Sequence, residues 1–159
     1  IPRVWLLVAI VFTAYSVYGL IAYATTFAQK FYGLSAASAA TLGGIRYLIQ
    51  GAGGIVGGFL ADKMKSRFKV IIGGCIGLAL SFALFIVVPA KASLCVMVVA
   101  NFFVGLFFIY AVRSQYFAVH DDAGIPLNMS GRVSGIASCL GYTPDIFMYT
   151  LVGNSLKAF

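Results

Sequence analysis

Gly58-Phe59-Leu60-Ala61-Asp62-Lys63-Met64-Lys65-Ser66-Arg67 is the stretch whose reading decides the fold. Before it, an apolar run from Ala36 to Ala61 is interrupted by Arg46 and Gln50. Then Asp62 to Lys69 packs four positive charges into eight residues. From Val70 to Val88 the chain is apolar and uncharged again. A basic hinge between two long apolar runs is the pattern of a short loop between membrane helices. The same pattern extends outward. Val4 to Ala28 and Ala92 to Val112 are uncharged, and Val133 to Leu156 is interrupted by Asp145. Each run meets the roughly 20 residues a helix needs to cross the hydrocarbon core. Barrel strands are about half that length and alternate in polarity. Lipid offers no partner to a free backbone group, so the spans are expected to be helices. The expected fold is an all-α membrane bundle, with five transmembrane helices over about 4–28, 36–61, 70–88, 92–112 and 133–156.

Composition sets the same frame. Of 159 residues, 62% are hydrophobic and 9% are charged, against about 25% charged in a soluble domain. The mean hydropathy is +1.01. So few charges cannot cover a water-facing surface. An ordinary cytosolic enzyme, a disordered tail and a disulfide-stapled secreted domain are all excluded. The net charge of +7 does not make a nucleic-acid surface, because the basic residues punctuate apolar runs instead of sharing one polar face. Cys75, Cys95 and Cys139 all fall inside apolar runs and read as small buried hydrophobes. His120-Asp121-Asp122 offers one histidine with no second ligand in view. No metal, cofactor or catalytic constellation is expected, and the chain does not read as an enzyme.

The loops orient the bundle. The first holds only Lys30 and the third only Lys91, whereas the second is strongly basic and the fourth holds Arg113, His120, Asp121, Asp122 and Arg132. Positive charge favours the cytoplasm, so loops two and four are expected there, with the N-terminus inside and the fifth helix ending outside. An odd number of spans and a first residue that is not Met predict that the chain is a piece of a longer one.

Two stretches carry a family resemblance. Gly58, Leu60, Ala61, Asp62, Lys63 and Arg67 match the loop signature of the major facilitator superfamily, Gly-x-Leu-Ala-Asp-Arg/Lys-x-Gly-Arg/Lys-Arg/Lys. Lys65 stands at the second glycine and Ser66 at a basic position, a weaker form typical of the copy in the second half of such transporters. Tyr116 to Asp122, Gly131 to Ser138 and Gly141 to Phe147 resemble the tenth-to-eleventh helix region of bacterial permeases in the organophosphate and organic-anion branch. The resemblance implies that the five spans are helices seven to eleven of a secondary transporter in the inner membrane. The first half and the twelfth helix would then be the missing partners. It also implies alternating access, with Gly58, Asp62, Lys63, Arg67 and Arg113 forming a cytoplasmic gating motif. Arg113 is expected to pair with Asp62 or to reach the headgroups.

Polar side chains inside the spans mark the candidate site. A charge in mid-membrane costs about 2.5 to 3.5 kcal/mol on insertion scales and is seldom idle. Arg46 lies about ten residues into its helix, roughly 15 Å deep. Gln50, Gly53 and Gly57 continue its face. Asp145 lies within about one turn of that depth, on a stripe with Ser134, Ser138, Tyr142 and Tyr149. Pro144 is positioned to kink that helix. Tyr15, Tyr18, Ala22, Thr25 and Gln29 form a stripe on the first helix, and Asn101 is the one amide in the fourth. Arg46, Gln50, Tyr15, Tyr18, Asn101 and Asp145 are therefore the expected substrate contacts. Two readings stay open for the charges: Arg46 attracts an anion while Asp145 acts as a proton-linked or gating partner, or the two neutralise each other or the missing half. The Gly51–Gly58 run holds two overlaid GxxxG spacings, Gly53/Gly57 and Gly54/Gly58, with further copies at Gly73/Gly77 and Gly131/Gly135. These predict close helix packing. The expected function is transport of a small organic anion, with a proton or an exchanged anion as coupling partner. The alternative is a non-transporting membrane module or assembly subunit.

Overall fold

The computed structural model describes residues 2–158, and of Ala22, Lys157 and Ala158 only the backbone. The described chain is helical throughout, in five rods. The first is α1 (Pro2–Ala22) and α2 (Ala24–Tyr32), broken at Tyr23. The next three are α3 (Ala36–Met64), α4 (Arg67–Val87) and α5 (Cys95–Gln115), the last entered through a 3-10 turn at Ala92–Leu94. The fifth is α6 (Leu127–Gly141) and α7 (Pro144–Ala158). Three of the rods, Pro2–Tyr32, Arg67–Val87 and Ala92–Gln115, are long and apolar enough to cross a membrane. Many large apolar side chains point out of the bundle. Leu48 is 75% exposed and Ile86 is 86% exposed, an arrangement stable only where the outside is itself apolar. The protein is an all-α membrane protein.

Local chemistry sets the helix ends. Gly33 takes φ 70° and stops α2, a left-handed position where glycine carries no Cβ penalty. Ser35 caps α3 by accepting the Ser38 N–H at 3.1 Å. At the far end of α3 Lys65 takes φ 50°, and its N–H reaches back to the carbonyls of Ala61 and Asp62. Pro144 does more than kink a continuous helix. The helix ends at Gly141 and restarts with Pro144 as its first residue, where a missing N–H costs nothing. α7 runs two residues past the expected end of the fifth span, to Ala158. Phe159 lies outside the described residues.

α5 is the axis of the packing. Leu106 and Ile109 on it are completely buried, and Phe102 and Val112 nearly so. α3 lies close along it because of two glycines. A Cβ at Gly53 would stand 2.6 Å from the Phe107 carbonyl oxygen, and one at Gly57 2.8 Å from the Ala111 Cα. The other overlaid spacing has no such role, since Gly54 and Gly58 face open space. α4 meets α5 through Gly74 and Gly77, against Val112 and Phe108, while Gly73 is open. On α6 it is Gly141, pressed on Val11 of α1, that makes the close approach; Gly131 and Gly135 touch nothing. The cysteines depart from expectation too. Cys75 and Cys139 are exposed on the outside of the bundle, Cys95 is half-buried, and all three are free thiols.

Candidate functional site

Four rods bring polar side chains to one place. α1 contributes Tyr15 and Tyr18, three residues apart and hence on one face. α3 contributes Arg46 and Gln50 from a single face one turn apart. α5 and the residue after it contribute Tyr110, Arg113 and Tyr116 at successive spacings of three. Tyr142, in the α6–α7 break, and Asp145 and Tyr149, on α7, complete the group.

The contacts are specific. Arg46 donates from Nη2 to the Tyr18 hydroxyl at 3.2 Å. Tyr15 donates to Asp145 Oδ2 at 3.0 Å. The Tyr15 ring stacks on Tyr142 with centroids 4.4 Å apart and lies 5.7 Å from the Tyr18 ring. The Tyr116 and Tyr142 hydroxyls meet at 3.4 Å. The Arg113 guanidinium sits over three rings, 4.2 Å from Tyr18, 5.1 Å from Tyr110 and 5.4 Å from Tyr15. Aromatic faces carry negative quadrupole density, so this cage partly offsets the cost of taking the cation out of water.

Neither arginine is neutralised. Among the described residues one ion pair forms, Arg67 to Asp122, and it lies elsewhere. Asp145 is held by Tyr15 instead of by Arg46. The Arg46 Nε and the Gln50 Nε2 are both buried and without a hydrogen-bond partner. Arg46 and Arg113 stand 5.9 Å and 4.2 Å from the same Tyr18 ring. Their guanidinium carbons are therefore no more than about 10 Å apart, and at an effective dielectric of about 20 the repulsion is about 2 kcal/mol. Two cations at this separation with idle buried donors make a site that an anion would relieve.

Two expected residues go elsewhere. Asn101 turns its amide to α4: it donates to the Ser81 carbonyl at 2.9 Å and accepts from the Ser81 hydroxyl at 3.1 Å. This buried clamp spends the amide on the α4–α5 seam, and the structure does not bring Asn101 to the cluster. Arg113 does not pair with Asp62, which is exposed; the tyrosines three residues to either side of it draw it inward. Sequence reading placed Arg113 at the helix end and did not single out Tyr110. The signal was there in the spacing of 110, 113 and 116 on one face.

The basic loop has its own geometry. Asp122, from the turn between α5 and α6, accepts the Arg67 backbone N–H at 2.7 Å and pairs with its guanidinium at 3.0 Å. It therefore caps the start of α4, where unsatisfied N–H groups and the helix dipole favour a carboxylate. Arg3 donates to the Ala123 carbonyl at 2.9 Å, so the start of α1, the basic loop and the α5–α6 turn share one end of the bundle. Lys63 is exposed there. His120, in the same turn, bonds Ser130 at 2.8 Å. Burial away from water pushes its pKa below the usual histidine value, partly opposed by the Asp121 charge.

Two cavities lie apart from this cluster. One of about 770 Å³ runs between α1, α4 and α5 and is lined mainly by apolar side chains such as Leu7, Ile10, Ile71 and Leu78, with Arg3, Asp121 and Asp122 at one end. A second of about 210 Å³ is almost wholly apolar.

Comparison with known proteins agrees with the fold. The family model described as Major Facilitator Superfamily matches residues 1–146. The chain is 28% identical over 158 residues to the inner membrane protein YqcE of Escherichia coli (strain K12), covering 97% of this chain and 37% of that protein. It is also 28% identical over 152 residues to the inner membrane protein YihN of the same strain, covering 94% of this chain and 36% of that protein. The chain thus spans little more than a third of the curated relatives it matches. No solved structure gives a significant match. The matched family is one of membrane transporters rather than enzymes, and the match covers nearly the whole chain: the chain belongs to the Major Facilitator Superfamily.

Proposed function

We propose that the protein containing this chain moves a small organic anion across the membrane by alternating access, and that Arg46, Gln50, Tyr15, Tyr18 and Asp145 form part of its binding site. The observation that carries the reading is the Arg46 guanidinium. It is half-buried, fixed by Tyr18, unpaired with any carboxylate among the described residues, and left with an idle Nε, while the Nε2 of Gln50, one turn along the same helix, is idle too. A buried donor without a partner costs about 1–3 kcal/mol, and an anionic ligand would remove that cost.

On this reading the spans lie at 4–28, 36–61, 70–88, 92–112 and 133–156, with the basic-loop end in the cytoplasm and the N-terminus inside. The bundle rocks against a further half of the same transporter, around a site near the bilayer midplane. Gly58, Asp62, Lys63 and Arg67 belong to the cytoplasmic gate, and the Arg67–Asp122 pair is the contact that opening and closing would load. A proton or a counter-anion supplies the coupling. The branch that handles organophosphates and organic anions is the one this chemistry suits.

Uptake by the complete protein in proteoliposomes tests the reading. Arg46→Ala should weaken the apparent affinity for the transported anion at least about tenfold, equivalent to about 1.4 kcal/mol. An unchanged affinity removes Arg46 from the site.

A further inference from the structure

We infer that His120 is a proton-operated latch at the basic-loop end of the bundle: protonation of its buried imidazole releases the α5–α6 turn from α4. The inference stands apart from the organic-anion reading and needs no identified solute.

The turn is a junction. His120 closes a 3-10 turn, Ala118–His120, that packs against α4 and α5. Its carbonyl accepts the Ile125 N–H at 2.9 Å, and its Nδ1 lies 2.8 Å from the Ser130 hydroxyl oxygen on α6. Two residues on, Asp122 caps α4 and pairs with Arg67. The next residue, Ala123, accepts from Arg3 of α1. The stretch from His120 to Ala123 thus fastens α1, α4 and α6 together.

The imidazole suits the closed turn only while it is neutral. His120 is 4% exposed, and its Nε2 is buried with no partner among the described residues. Protonation makes both ring nitrogens donors. The closed turn would then bury a positive charge together with an N–H that has no acceptor. Opening the turn to water removes both costs.

No neighbouring group supplies the missing acceptor. Asp121 is the charge that acts on the ring, favouring the proton, but it is exposed and does not reach Nε2. At the start of α4, Arg67 is held by Asp122 and Lys69 is exposed. At the end of α5, Arg113 sits in its tyrosine cage and the Tyr116 hydroxyl meets Tyr142. Arg132 on α6 is exposed, and Arg3 of α1 is spent on Ala123.

The sign follows from burial. Desolvation lowers the histidine pKa in the closed turn, whereas in an open turn the ring returns to about 6.5. The closed turn keeps its full advantage above that value and loses it as pH falls from there through the lowered one. Each pH unit in that interval shifts the balance toward the open turn by up to about tenfold. His120 is the one histidine of the chain, and histidine is the side chain whose ordinary pKa lies in the physiological range. With the orientation proposed above, the pH sensed is that of the cytoplasm.

Spin labels on the complete protein test the latch. They are placed at Lys69→Cys on α4 and Leu127→Cys at the start of α6, both exposed, in a background without other cysteines. Pulsed electron resonance should give one short distance at about pH 8. A second, longer distance should grow at least about fivefold in share between about pH 7 and about pH 5.5. His120→Leu and His120→Asn take up no proton in this range, and both should hold the closed distance throughout. Hydrogen–deuterium exchange at the imidazole C2 of the wild-type protein, located by mass spectrometry, reads the titration of His120 itself and covers the case in which neither variant folds. Its midpoint should lie below about 6.5 and coincide with the distance change. A wild-type distance that ignores pH overturns the inference. So does a change that persists in a folded His120→Leu or His120→Asn protein, or a His120 midpoint that is not lowered or does not coincide with the opening.

Discussion

Lys65 shows how a single residue can be read twice. In sequence it occupies the position where the family signature has glycine. In the structure it takes φ 50°, the left-handed conformation that glycine enters freely and an L-residue enters at a cost of about 1–2 kcal/mol. The turn has therefore kept the geometry of the signature while losing its residue. Lys65→Gly should raise the stability of the complete protein in detergent by about 0.5–1 kcal/mol, because part of the relieved strain is offset by the greater freedom of glycine in the unfolded chain. An unchanged or lowered thermal midpoint would show that Lys65 is not strained. Asp122 teaches the complementary lesson. In sequence it is one charge of the fourth loop, and its value as a cap for α4 depends on Arg67, 55 positions away in the chain.

At the scale of elements, the glycines of α3 separate what a pattern proposes from what packing selects. Gly53/Gly57 and Gly54/Gly58 are equivalent as spacings. Only the first pair faces α5, because the stripe that begins at Arg46 and Gln50 continues through 53 and 57 on one helical face. Gly57→Ala should destabilise the protein by about 1–3 kcal/mol through overpacking against Ala111 and Ser114. Gly54→Ala meets open space and should be neutral or stabilising by up to about 1 kcal/mol. Equal effects of the two substitutions would refute the assigned α3–α5 seam, and thermal unfolding of purified protein measures both. The breaks at Tyr23 and after Gly141 were not foreseen as helix ends. The first carries no proline or glycine signal. At the second, Pro144 was read as a kink because its role as the first residue of a new helix appears only once Tyr142 and Thr143 are seen outside the helical ladder.

For the whole molecule, the proposed orientation makes the basic loop cytoplasmic. A single cysteine placed at Lys65 in a background lacking Cys75, Cys95 and Cys139 should react with a membrane-impermeant thiol reagent only after the cells are permeabilised. A cysteine at Lys91 should react in intact cells. The reverse pattern overturns the orientation. The structure gives the loops a shared geometry whatever the answer, since Arg3, Arg67 and Asp122 meet at one end of the bundle.

The sequence by itself determined the solvent, the helical class and the family, because each rests on quantities summed over many residues. Hydropathy over five long runs and the charge punctuation between them survive any single misreading. It also located Arg46, Gln50, Tyr15, Tyr18 and Asp145 by the cost of polar groups in an apolar run. Only the tertiary structure decided who meets whom. Asn101 and Arg113 are both polar residues on α5; the spacing of 110, 113 and 116 puts Arg113 on a tyrosine face, but nothing along the chain says that Tyr15 and Tyr18 complete its cage or that Asn101 meets Ser81. Those outcomes depend on the rotation of α5 against α1, α3 and α4. That rotation follows from where glycine lets backbones approach and where side-chain volume holds them apart, so it belongs to pairs of helices and not to any one of them.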